Sequence, residues 1–195
     1  MSTTAQDENF HKYWTNEYPA SPPLGFELRP RYSERWFRIH SLPLSKRYPQ
    51  NDAERLEVLR RHNAVLDKLL RLTDDFVLLS TGYSDESTPV LPKLLQTDPP
   101  FRQESRYAFT VKLDLGSPYW HFFISNQKWQ SGYLDGVLTR IATDDIADVL
   151  VIGQKQKFVY APYDGGADIF VRDSQTRTGL RALFSSWLPT TGSAL

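Results

Sequence analysis

Arg35, Trp36, Arg38 and His40 lie almost side by side, and Lys46, Arg47 and Tyr48 come shortly after them. Cationic and aromatic side chains interleaved in this way can hold phosphate or stack on single-stranded nucleic acid. The competing reading is a solvated strand face whose charges pair with acidic neighbours. The 23 basic and 23 acidic residues balance to zero, which favours the second reading. Nucleic acid is therefore not an expected partner.

Other chemistries find less support. The histidines are His11, His40, His62 and His121, and no two stand at the spacing of a local zinc pair. They read as packing or hydrogen-bonding groups. Asp164, Asp168 and Asp173 raise calcium, but the stretch lacks the alternating ligands and final glutamate of a calcium loop. Asp164 is expected to bond its own turn, Asp173 to cap a helix and Asp168 to face solvent. There is no cysteine, hence no thiolate nucleophile or thiolate metal site. No G-x-S-x-G elbow, Walker A loop or dinucleotide fingerprint occurs. The adjacent pairs Asp74-Asp75 and Asp144-Asp145 read as solvating groups, not a general acid and base. No catalytic residue, metal or cofactor is assigned.

The chain has 11 Phe, 10 Tyr and 5 Trp, which favours a sheet with large buried contacts over a helical bundle. Tyr119, Trp120, Trp129 and Tyr133 are surplus aromatics expected on an exposed, partner-binding face. Arg35, Trp36, Arg38, His40, Trp120, Trp129, Tyr163 and Asp164 are accordingly the candidate binding residues.

The elements that must position them emerge from periodicity. Residues 1–20 hold few aliphatic side chains but include Phe10, Tyr13, Trp14 and Tyr18. They read as an extended segment, mobile over its first eight or nine residues, with the aromatics docked on the body. Residues 21–195 read as one α+β domain. Asn51 and Glu54 have capping-box spacing ahead of a helix over about 52–71, with Leu56, Leu59, Leu66, Leu69 and Leu70 on its apolar face. Phe76-Val77-Leu78-Leu79 reads as a central strand, and residues 81–105, with four prolines, as a long irregular loop. Tyr107, Phe109, Val111 and Leu113 alternate with smaller or polar residues, and 119–125 returns antiparallel. A helix over about 134–143 leads to a meander of three strands, with Tyr163-Asp164-Gly165-Gly166 as its tightest turn. A last helix from Asp173 or Ser174 buries Leu180, Leu183, Phe184, Trp187 and Leu188, and Pro189 stops it. The sum is a mostly antiparallel twisted sheet of about six strands with two or three helices on one face.

The C-terminal pattern Tyr160-x-x-Tyr163-Asp164-Gly165-Gly166-x-Asp168-Ile169, with Leu180, Leu183 and Trp187-Leu188 after it, resembles the bacterial domain of unknown function 3885. The likeness covers about the last 40 residues. Gly165 stands where that pattern often has a second acidic residue, and Arg35 to Pro43 fits the same lineage. The family has loose associations with toxin-related proteins and no assigned catalytic residues, so none carries over.

Function is read from these facts as two expectations. The first is a non-catalytic protein-binding domain, in its sharpest form the immunity-type partner of a bacterial toxin. The second is an enzyme whose site is assembled by the fold from Arg38, His40 and His121, acting on a phosphorylated or nucleotide substrate. A homodimer burying the aromatics is a third arrangement. Met1 to Asn9 has no apolar core, and no run approaches the roughly 20 apolar residues that span a bilayer. The expected location is cytoplasmic, with no membrane partner.

Overall fold

A computed structural model describes residues 5–189 of the chain. Its organising element is one antiparallel sheet built from β1 (Trp36–His40), β2 (Asp75–Ser84), β3 (Arg106–Lys112), β4 (Tyr119–Lys128), β5 (Val149–Gly153), β6 (Phe158–Tyr163) and β7 (Gly166–Phe170). The spatial order is β1-β7-β6-β5-β2-β4-β3. The helices of the described residues are α1 (Ala5–Glu17), α2 (Gly25–Arg31), α3 (Asp52–Leu69), α4 (Lys93–Thr97), α5 (Pro99–Glu104), α6 (Asp135–Ala142) and α7 (Ser174–Leu183). The α+β class and antiparallel pairing stand as expected. Among the described residues the strands number seven, not six, and the α-helices number seven, not two or three.

Helices cover both faces of the sheet, which corrects the one-faced expectation. On the first face α3, α6 and α7 pack over Phe37, Ile39, Tyr160, Ile169 and their neighbours, with Leu94, Leu95 and Phe101 of α4 and α5 joining the same core. On the second face Phe10, Trp14, Tyr18, Leu24 and Leu28 of the α1–α2 segment pack against Val77, Leu79, Phe122, Leu150 and Val159. Alternation along each strand feeds both cores, because successive side chains point to opposite faces.

The N-terminal segment is helical where an extended chain was expected. Phe10, Trp14 and Tyr18 recur every four residues, a helical stripe that the scarcity of aliphatics disguises. The Trp14 ring stacks on Tyr18 at 4.7 Å between centroids, and its Nε1 donates to the Ser21 carbonyl. These three aromatics dock on the body. The expectation of mobility falls partly on residues 1–4, which lie outside the described residues.

Three further local readings change. Residues 81–105 are not one irregular loop: β2 continues to Ser84, and α5 starts where Asp98 accepts the Phe101 amide, with Pro99 in the first turn. The buried stripe of α3 is Val58, Arg61, His62, Val65 and Leu66, while Leu56 is 67% exposed. Asn51 caps α3 through the Glu54 amide as the spacing predicts, but the Glu54 carboxylate reaches back one residue further, to the Gln50 amide and Lys46. In the last helix, capped by Asp173 through the Thr176 amide, Leu180 and Phe184 are buried but Leu183 is 57% exposed. The helix stops at Leu183, and a tighter turn, Ser185–Trp187, redirects the chain beyond it.

The β6–β7 turn needs its glycines for contact. Neither has a left-handed φ; a Cβ on Gly166 would sit 1.9 Å from the Ile39 carbonyl oxygen of β1. Gly166 thus lets β1 pair alongside β7.

Candidate functional site

The second face is apolar over its middle and polar at one edge. Arg38 of β1 stands directly opposite Asp168 of β7. Arg38 Nε and Nη2 donate to the two carboxylate oxygens of Asp168 at 2.8 and 3.0 Å, and Trp36 Nε1 donates to one of them at 2.8 Å. Arg29 of α2 approaches at 3.6 Å. The Tyr163 ring lies under the Arg38 guanidinium at 4.9 Å, and burial pushes its phenol up to about 12. Asp168 is buried, not solvent-facing, and its charge is held by a two-pronged pair with additional donors, the arrangement that makes a buried ion tolerable.

This polar ladder forms one wall of a cleft of about 800 Å³. The floor is Leu150 and Ala161. Phe26 and Arg29 of α2 form the facing wall, and Asp144, Ala147 and Asp148 close one end. Gly25 sets how closely α2 approaches the floor, since a Cβ there would stand 2.8 Å from the Ala161 Cβ. His40, Ser45 and Arg47 form the rim on the β1 side. Burial, and after it the Arg38 charge, holds the His40 imidazole below its ordinary value against a hydrogen bond that the ring donates to the Gly165 backbone carbonyl. Arg47 pairs with the buried carboxylate of Asp164, so Asp164 holds a loop and not its own turn.

Asp148 differs from the paired Asp164 and Asp168. It is half-buried and has no hydrogen bond or ion pair from its side chain among the described residues. Burial alone raises its carboxyl above the usual range. Its φ is +54° and that of Asp144 is +58°, a left-handed conformation that asparagine and aspartate adopt more readily than most residues.

Beyond the α2 wall the surface turns aromatic. Phe26 is 42% exposed and lies 5.9 Å from the Trp120 ring; Tyr83, 63% exposed, lies 5.5 Å from the same ring. The Trp120 Nε1 has no partner among the described residues. Phe26 therefore belongs both to the cleft and to an aromatic patch.

Of the residues expected at a site, Arg38, His40, Tyr163 and Asp164 converge on the cleft, Trp36 braces Asp168, and Trp120 anchors the adjoining patch. Two do not join. Arg35 lies over the Tyr18 and Tyr32 rings and donates to the Glu17 carbonyl, fastening α1. Trp129 is buried in the first core, its Nε1 donating to Asp67, so it is no exposed aromatic. His121 is fully buried on β4 between Thr110 and Ser84, away from Arg38 and His40. The three do not converge. Phe26, Arg29, Asp144 and Asp148 were missed: Asp144 read as a solvating group, Asp148 belongs to no motif, and α2 carries Pro30, which conceals a short helix.

Residues 24–191 match the family model described as Domain of unknown function (DUF3885). The chain belongs to this family. The match takes in most of the chain, not only its last 40 residues. No curated protein and no solved structure matches the chain. The DUF3885 span opens at Leu24 and so includes α2, the polar ladder and Asp148, but not α1. Among the described residues no helix is long and apolar enough to cross a membrane, and no group of three histidines or carboxylates is placed to hold a metal ion.

Proposed function

We propose that this DUF3885 chain is a non-catalytic protein-binding domain whose interface is the cleft together with the Phe26–Trp120–Tyr83 patch. The observation that carries this reading is the continuity of the two: a half-exposed aromatic cluster runs into a concave, charged surface through Phe26. Aromatic and arginine side chains around a concavity are the residues that dominate interface energetics. The charges of Arg38 and Asp168 are satisfied internally and need no reorganisation, so the ladder is a preformed wall for a partner to lean on.

The sharpest form of this reading is an immunity-type protein that occludes a bacterial toxin through this surface. Photo-crosslinking in the native host tests the interface. A benzoylphenylalanine at position 26 or 83 is expected to capture one and the same protein, while the label at position 56, exposed on α3 across the sheet, captures none of it. Equal capture from position 56 overturns the surface assignment. The immunity form requires in addition that the captured protein be a toxin whose activity falls in proportion to added chain.

A further inference from the structure

Around Asp168 two guanidiniums share one carboxylate. Its oxygens already accept three hydrogen bonds, two from Arg38 and one from the Trp36 indole. Arg29 reaches it only through Nε at 3.6 Å, within ion-pair range but beyond a hydrogen bond. The Arg29 guanidinium makes no hydrogen bond among the described residues, and 36% of its side chain is exposed on the α2 wall of the cleft. Arg47, the other exposed arginine of the cleft, is paired with Asp164. Tyr163 lies close enough to feel the Arg29 charge, yet burial keeps its phenol protonated, so its O–H is a second donor lining the cleft.

We propose that Arg29 is the anchor for a carboxylate carried by an aspartate or glutamate side chain of the protein partner. A carboxylate meets a guanidinium through two parallel N–H···O bonds, and the two terminal nitrogens of Arg29 are the ones left uncommitted. Phe26 stands three residues earlier on the same helix face, so an apolar ring flanks the charge and can receive the methylenes of an acidic side chain. The number of charges selects among anions. Asp144 and Asp148, neither in an ion pair among the described residues, close one end of the cleft and repel a second negative charge. A planar monoanion therefore suits the site better than a phosphate dianion. This inference rests on the protein-binding reading and names the chemistry that the α2 wall takes up.

Titration of the full chain with an acetylated, amidated glycine–glutamate–glycine peptide tests it, read through the backbone amide NMR shifts of Phe26, Arg29 and Tyr163. The glutamate peptide is expected to bind about tenfold more tightly than its glutamine counterpart. Arg29→Gln is expected to remove that difference, and Arg29→Lys, which keeps the charge without the fork, to leave only part of it. Arg38 and Trp36 still hold Asp168 in both variants, so both should keep the wild-type urea midpoint. Arg29→Met, which keeps the methylene stem, replaces Arg29→Gln should that variant fail to fold. Equal binding of the two peptides, or a glutamate preference that survives in folded Arg29→Gln or Arg29→Met, overturns the anchor. Full preference in Arg29→Lys would overturn the two-pronged pairing. Inorganic phosphate binding more tightly than the glutamate peptide would overturn the choice of a carboxylate, and acetate binding as tightly would overturn its origin in a polypeptide. None of these results touches the photo-crosslinking outcome, which does not depend on Arg29.

Discussion

His62 sits at the centre of a fully buried chain of polar groups. Its Nε2 is 2.8 Å from the Ser41 Oγ, and its Nδ1 bonds the Tyr160 hydroxyl. A neutral ring has one donor and one acceptor nitrogen, and the two hydroxyls can complement both. Burial pulls the imidazole from its ordinary 6.5 down to about 4. The folded chain therefore keeps the ring neutral while the unfolded chain protonates it below pH 6.5. Between pH 6.5 and about 4 the unfolded state binds more protons, so stability falls as the pH drops, by up to about 3 kcal/mol from this residue. Urea midpoints of the wild type at pH 7 and 4.5 should diverge accordingly, and His62→Gln, which cannot titrate, should show a much smaller difference. An unchanged pH slope in that variant would show that the ring is not the responsible group. At this scale the sequence predicts the direction of Asp168 correctly and its surroundings wrongly. Alternation with Ala167 and Ile169 turns Asp168 away from the first core. That other side reads as solvent only because the second layer of helices leaves no strong signal in the sequence.

The missing layer is a matter of elements. Helices α3, α6 and α7 were legible because aliphatic residues repeat at helical spacing behind recognisable caps or turns. Helix α1 carries its stripe in aromatics, and α2 spans only Gly25 to Arg31 with a proline inside. Neither resembles an ordinary amphipathic helix. Yet α2 sets the width of the cleft, because Gly25 rests against Ala161. Gly25→Ala is expected to push α2 off the sheet and cost about 1–3 kcal/mol through overpacking, even though alanine is the better helix former. Ala161→Gly in the same chain should recover most of the loss, since it removes the methyl that collides. Additive losses in the double variant, measured by urea denaturation, would rule out that contact as the cause. The candidate site was half legible for the same reason. Its residues on β1, β6 and β7 lie in patterned strands, whereas Phe26 and Arg29 lie on an element that gives no warning of itself.

At the scale of the molecule, α1 closes a core that the sheet cannot close alone. Phe10, Trp14 and Tyr18 are each no more than 5% exposed, and burying a large apolar side chain contributes about 1.5–3 kcal/mol. Their sum is comparable with the whole stability of an ordinary domain. A chain beginning after Tyr18 is therefore expected to lose its cooperative urea transition and to bind a hydrophobic dye such as ANS. A sharp transition at the wild-type midpoint would show that the second core holds without α1.

The sheet order has a consequence for how the protein is made. Trp36 and its hydrogen-bond acceptor Asp168 are 132 residues apart, and β7 is the strand against which β1 is laid. While the ribosome is still adding β2 to β6, the nascent β1 has no neighbour to take its backbone groups. Its apolar side chains Phe37 and Ile39 also wait for most of their core. The final sheet can close only near the end of translation, so the growing chain carries β1 as an unpaired strand through most of its synthesis.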